Sequence, residues 1–310
     1  MTHALRQILI ALFVIGLLAG LTTVPAVAQE PEVAATLAFT EGPAVDKEGN
    51  LYFSEMTNQR IMKLTPAGVL SVYREKSNNA NGLVIDPEGR LIAAEGAESN
   101  RNGVRIPANG RITRTDLRTG KMEILADKFE GQPLRGPNDV TIDGKGRIYF
   151  TDLSGSAVYR IDAPGMLAKL ISAPDVSRPN GIQVSPDDKT LYVADSAPPP
   201  SGVRVLLAYD VRPDGSVANK RTLYDFKNMR GTDGMSIDVQ GNLYTASGSR
   251  ATNNTGVHVI SPKGTVIKVI PIPEDPITNT AFGGPDMKTL YVTAGKTIYK
   301  IKMDVQGLPR

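Results

Sequence analysis

One phrase returns six times along this chain: a polar residue, a short apolar stretch, a turn rich in Gly and Asp, then a Leu/Ile-led strand, usually with Tyr next. It begins as Glu41-Gly42-Pro43-Ala44-Val45-Asp46 before Leu51-Tyr52-Phe53, and returns as Asn81-Gly82-Leu83-Val84-Ile85-Asp86 before Leu91-Ile92-Ala93. The third and fourth copies are Asn138-Asp139-Val140-Thr141-Ile142-Asp143 before Ile148-Tyr149-Phe150, and Asn180-Gly181-Ile182-Gln183-Val184-Ser185 before Leu191-Tyr192-Val193. The last two are Asp233-Gly234-Met235-Ser236-Ile237-Asp238 before Leu243-Tyr244-Thr245, and Asn279-Thr280-Ala281-Phe282 before Leu290-Tyr291-Val292. The leading residues recur every 40 to 57 positions. Short strands at such a period are the signature of a β-propeller, in which each repeat is one blade.

Each repeat has room for four strands. In the first, they are predicted at 43–46, 51–54, 60–64 and 69–73. The turns starting at Asp46, Asp86, Asp143 and Asp238 each carry a Gly three residues on, where a hairpin bulge requires positive φ. The sixth repeat ends its third strand at Thr297–Ile301 with nine residues left, too few for a fourth strand. The apolar segment Val33–Phe39 precedes the first repeat and is predicted to supply that strand, which would pair two bare edges. The expected fold is therefore an all-β, six-bladed propeller, a single domain over residues 29–310, closed by its own N-terminal strand. Two insertions, about Glu95–Ile106 and Ala197–Gly202, break the rhythm and are expected on the surface, where loops often shape sites.

Residues 1–28 are of another kind. Arg6 precedes an apolar or Gly run from Ile8 to Leu21, and Ala26-Val27-Ala28 forms a small-residue cleavage site. This reads as a cleavable export signal, too short to span a bilayer, and implies a periplasmic or secreted protein without stable membrane insertion. The net charge of +3, from 35 basic and 32 acidic residues well mixed, gives no basic stripe for a phosphate backbone and argues against nucleic acid. There is no Cys, which excludes disulfides, thiol nucleophiles and thiolate metal sites. Of the two His, His3 belongs to the export signal and His258 falls in a predicted third strand, away from the axis. A Ser-His-Asp triad is therefore not available.

The innermost strand of every propeller blade lines a central channel, so a residue that starts each one forms a ring. Here the ring is Glu41, Asn81, Asn138, Asn180, Asp233 and Asn279. Two carboxylates and four amides offer only hard oxygen donors, which suit one divalent cation: Ca2+ best, with Mg2+ or Mn2+ as substitutes. Each residue singly could instead bond its own backbone in an Asx turn. With neither thiol nor triad, hydrolysis here would combine a cation with a carboxylate base.

At these residues the chain resembles the gluconolactonase, senescence-marker-protein and luciferin-regenerating-enzyme family of six-bladed propellers. The matching phrases are Glu41-Gly42-Pro43, Arg111-Ile112-Thr113-Arg114, Gly136-Pro137-Asn138-Asp139-Val140, Pro179-Asn180-Gly181-Ile182, Asp233-Gly234-Met235 and Thr278–Asp286. The resemblance implies a metal held by Glu41, Asn180 and Asp233, with Asn138 at the metal and facing substrate. It also implies that Asp233 serves as proton acceptor. Two positions depart from the family: Ala94-Glu95-Gly96-Ala97 stands where many members have Cys-Glu-His-Gly, and Gly136 stands where some have a substrate-binding Arg. Arg101 and Arg105, on the first insertion, are candidate replacements, and Asn81 is a further candidate substrate contact.

The function expected from this resemblance is metal-dependent opening of a small lactone, most plausibly an aldonolactone, with catalysis by Asp233 and Asn138. Two alternatives stand beside it: a phosphotriesterase-like or strictosidine-synthase-like enzyme, since fold alone does not settle chemistry, and a non-catalytic binding module with a structural ion.

Overall fold

A computed structural model describes residues 30–96, 109–197, 202–227, 229–248 and 255–310, together with the backbone of 99–101 and 104–106. The proposed export signal and Pro198–Pro200 lie outside these residues. Six four-stranded antiparallel sheets follow one another along the chain. Blade 1 is Thr40–Val45, Leu51–Glu55, Arg60–Leu64 and Leu70–Arg74; blade 2 is Leu83–Ile85, Arg90–Glu95, Arg111–Asp116 and Met122–Ala126. Blades 3, 4 and 5 begin with Pro137–Ile142, Pro179–Val184 and Thr232–Ile237 and continue in the same simple meander. Each innermost strand touches that of the next blade, and the first touches the sixth, so the ring is closed.

Blade 6 contributes Ile277–Gly283, Thr289–Ala294 and Thr297–Lys302, and its outermost strand is Glu32–Thr36, antiparallel to Thr297–Lys302. The expected closure by the N-terminal segment is what forms, with a bulge between Val33 and Ala35. The first blade differs from expectation at one end. Its inner strand begins at Thr40 rather than at residue 43, because Thr40 and Glu41 pair with Glu55 and Ser54 before a register shift at Gly42-Pro43. In five blades the leading residue thus belongs to the inner strand, and in blade 2 Asn81 stands two residues ahead of it.

The Leu-Tyr-apolar phrase has a simple cause in the packing. It forms the second strand of each blade, which is buried on both faces between two neighbouring blades, so alternate side chains enter different cores. Ile148 and Phe150 pack toward blade 2 and Tyr149 toward blade 4. Leu191 and Val193 pack toward blade 3 and Tyr192 toward blade 5, and Leu243 and Tyr244 continue the pattern. Six apolar clusters result, one at each blade interface. With ~25 cal/mol for each Å2 of apolar surface buried, these interfaces supply the main stabilisation of a chain that has no disulfide.

The turns also follow the sequence reading. Gly49, Gly89, Gly146 and Gly241 have φ of 82°, 76°, 77° and 84°. The Asp that opens each turn accepts the backbone N–H four residues on, at 2.8 Å from Asn50 and 2.8 Å from Arg90. The first insertion forms a small ribbon, Ser99–Arg101 against Val104–Ile106. His258 is buried in the third strand of blade 5, beside the ring of Phe226.

Candidate active site

Where the six inner strands start, hydroxyl groups of one blade bind the backbone of the next. Ser54 Oγ donates to the carbonyl of Asn81 at 2.7 Å, and Thr151 Oγ1 donates to that of Asn180 at 2.7 Å. The N–H of Gly82 donates to the carbonyl of Asn138 at 2.7 Å. Close approach explains the Gly after the leading residue in four blades. A Cβ on Gly42 would lie 1.9 Å from Asn81 O, and one on Gly181 would lie 2.4 Å from Asp233 O. The backbone of the ring is therefore held by its neighbours before any ligand arrives.

Glu41, Asn81, Asn138, Asn180 and Asn279 are buried, and the Asp233 side chain is 17% exposed. Burial, followed by the charges of Asp233 and Asp139, raises the Glu41 carboxyl well above the usual carboxylate range. Its Oε2 accepts a hydrogen bond from Gly42 N–H at 3.1 Å. Burial also raises the Asp233 carboxyl, opposed by Arg230 and by a hydrogen bond with the side chain of Asn180. Arg230 Nη2 donates to Asp233 Oδ2 at 2.5 Å, while its Nη1 donates to the carbonyl of Ile277 at 2.6 Å. The Oδ2 oxygen of Asp233 is thereby held by Arg230.

These residues fit a divalent cation on the chemistry of their donors. Glu41 is a buried carboxylate with no cationic partner among the described residues, the condition that burial of charge penalises most. An amide that donates its N–H to Asp233 keeps its carbonyl oxygen, so Asn180 can still offer a hard donor. Among the described residues no three acidic or His side chains converge as a metal cluster.

The structure adds a group that the sequence reading passed over. Asp139, next to Asn138, is buried on the channel axis, where burial pushes its carboxyl up to about 7. Backbone N–H groups of Val140 and Ile182 oppose that shift, and Asn279 Nδ2 donates to Asp139 Oδ1 at 3.4 Å. Asn279 therefore serves Asp139, with its own Oδ1 accepting from Thr280 N–H at 2.8 Å. The sequence did carry a signal. Blade 3 places Asp139 in the position where four other blades have Gly.

Arg101 and Arg105 stand on the ribbon of the first insertion, and their side chains lie outside the described residues. At the departures from the family pattern, the structure gives local reasons. Glu95 is fully buried and is a structural ion-pair partner, bound by Arg74, by Arg111 Nε at 2.8 Å and by Thr113 Oγ1 at 2.6 Å. Gly96 has φ of 86°, and a Cβ there would lie 2.5 Å from Asn109 O. A Cβ on Gly136 would lie 2.8 Å from Ser154 Oγ, so the site has little room for an Arg at that position.

The far end of the channel is different in kind. A cavity of about 470 Å3 is lined by Val45, Ile85, Ile142, Ile237, Phe282 and Leu308 among others, with Asp139 and Asn279 at its inner end. The C-terminal residues cross this end. Gly307 N–H donates to Met287 O, Leu308 N–H donates to Ile237 O, and Arg310 Nη1 donates to Asp188 Oδ1 at 2.7 Å. The last nine residues thus tie blade 6 to blades 5 and 4.

Residues 39–296 match the family model described as the SMP-30/Gluconolactonase/LRE-like region. The chain is 27% identical over 301 residues to a gluconolactonase of Zymomonas mobilis, an alignment covering 89% of this chain and 81% of that one. It is 32% identical over 183 residues to regucalcin of Xenopus laevis, covering 55% and 58%. The solved structure of a gluconolactonase from Xanthomonas campestris superposes with a TM-score of 0.74 at 25% identity, covering 88% of this chain and 89% of that one. With a family match over most of its length and a closed six-bladed ring, the chain belongs to the SMP-30/gluconolactonase/LRE-like family.

Proposed function

We propose that this protein is a divalent-cation-dependent hydrolase of lactones, acting on an aldonolactone at the polar end of its channel. The observation that carries this reading is the meeting of a buried carboxylate, Glu41, and a half-buried one, Asp233, with the amides of Asn138 and Asn180 in the ring of leading residues. The names of the relatives support the reaction class, since both the Zymomonas and the Xanthomonas proteins are gluconolactonases.

Glu41, Asn138, Asn180 and Asp233 would hold the cation, Ca2+ by donor type, with Mg2+ or Mn2+ as substitutes. When bound, that cation supplies the positive charge that polarises a lactone carbonyl and stabilises its developing oxyanion. Asn138, with Asn81 beside it in the ring, orients the lactone through amide hydrogen bonds. Asp233 accepts the proton of the attacking water, its carboxyl fixed in place by Arg230. Removal of residues 1–28 on export would deliver the propeller to the periplasm or medium.

The test is acid release from glucono-1,5-lactone by the mature protein, before chelation, after it, and after Ca2+, Mg2+ or Mn2+ is restored. Activity lost with chelator and regained with one cation supports the reading. A rate equal to spontaneous hydrolysis in every state overturns it. N-terminal sequencing of the protein from cell fractions tests export.

A further inference from the structure

Three consecutive blades place an Arg just ahead of the residue that starts the inner strand: Arg135 before Asn138, Arg178 before Asn180 and Arg230 before Asp233. We propose that this arginine arc selects lactones that carry an anionic substituent away from the ring being opened, such as a phosphate, sulfonate or carboxylate. The inference rests on the lactone-hydrolase reading and names its substrate class.

Arg230 stands at the same site, in direct contact with Asp233 Oδ2, and Arg135 and Arg178 occupy the equivalent places ahead of the inner strands of blades 3 and 4. The backbones that carry the arginines are fixed by equivalent contacts. Arg178 N–H donates to Asp195 Oδ1 at 2.8 Å, and Arg135 N–H donates to Asp152 Oδ2 at 2.9 Å. Asp152 and Asp195 are buried and pair across from Pro137 and Pro179, so they clamp the start of each inner strand. Their oxygens are occupied by backbone N–H groups: those of Arg135, Gly136 and Gly155 on Asp152, and those of Ser177 and Arg178 on Asp195.

The guanidinium groups of Arg135 and Arg178 are not used in the same way. Both residues are exposed, and among the described residues neither forms an ion pair. Arginines on the outer parts of the blades behave otherwise: Arg60, Arg90, Arg114, Arg147, Arg160 and Arg221 each pair with a nearby Asp or Glu. Most arginines of the solvent-facing blade surface are paired locally, Arg212 being exposed without an ion pair among the described residues, and the two ahead of the inner strands stand unpaired on backbone held by buried carboxylates. A planar guanidinium presents paired donors that match phosphate, sulfonate or carboxylate oxygens. A neutral polyol lactone has no group that needs them.

The test compares glucono-1,5-lactone with its 6-phosphate, using the cation-loaded mature protein and subtracting spontaneous hydrolysis. The expected kcat/KM is about tenfold or more higher for the phosphate at low salt, with the preference shrinking as ionic strength rises. Arg135→Gln with Arg178→Gln should raise KM for the phosphate and bring the ratio of the two substrates close to one. 6-Phosphogluconate should inhibit the parent protein competitively and inhibit the double variant about tenfold less well. Equal or poorer use of the phosphate, or a preference unchanged in the double variant, overturns the inference while leaving the lactone-hydrolase reading in place. Hydrolysis of neither lactone with any of the three cations removes both.

Discussion

The two ends of the channel are built from the same six strands and have opposite chemistry. At the start of each inner strand stand carboxylates, amides and arginines, held close together by inter-blade hydrogen bonds. A few residues further along, the same strands present Val45, Ile85, Ile142, Ile237 and Phe282 to a cavity that also meets Asp46, Asp86, Glu88 and Arg310 and is crossed by the C-terminal residues. Asp139 and Asn279 separate the two. Polar groups concentrated at one end can be given work there, while the other end is free to be closed for stability.

The largest effect should come from the polar end. Asp233→Asn keeps the shape and the hydrogen-bonding capacity of the side chain but removes the proton acceptor, so kcat should fall by about 10³-fold or more with little change in thermal stability. Near-normal turnover in that variant would detach Asp233 from the chemistry.

A pH titration of the cation-free protein probes the boundary. Asp139 has a folded-state pKa raised to about 7, against an unfolded value near 3.9, so the folded state binds the proton more tightly. The stability this contributes is complete below pH ~4 and is lost as pH rises to ~7, by up to roughly 4 kcal/mol. Glu41 and Asp233, also raised, act in the same direction. Denaturant unfolding from pH 4 to 8 should show this decline, and Asp139→Asn should flatten part of it. A profile identical in the variant would show that Asp139 is not the group responsible.

Glu41→Gln removes one of the two ring carboxylates and should weaken divalent-cation affinity by about 100-fold in calorimetry. Unchanged affinity would take Glu41 out of the donor set. The smallest effect belongs to the far end. Arg310→Gln removes the contact with Asp188 and should cost about 1–2 kcal/mol in unfolding experiments, with kcat and KM for glucono-1,5-lactone unchanged. A loss of activity equal to that of the polar-end variants would mean that the two ends are coupled.

Much of the architecture was legible because it is local or periodic. The Asp-to-Gly turns can be read residue by residue, since positive φ at Gly49 or Gly146 depends on only a few neighbouring atoms. The double-sided burial of Tyr149 and Tyr192 is written in an uninterrupted apolar run. The missing fourth strand of blade 6 announced its replacement, Glu32–Thr36, by simple absence. Asn279 takes its place in the ring, and only the structure shows that its side chain bonds Asp139. Arg230, which no repeat phrase singles out, is the cation that contacts Asp233.

By itself, then, the sequence determined the number of blades, the strand that closes them, and the polar residue that starts each inner strand. These follow from periodicity, turn chemistry and the requirement that a strand buried on both faces be apolar throughout. Tertiary structure decided which charges meet. Glu41, Asp139 and Asp233 are separated by up to nearly two hundred residues in the chain yet shift one another's protonation, and Arg310 reaches back to Asp188. Coulomb interaction and desolvation depend on distances through space, and closing the ring is what sets those distances.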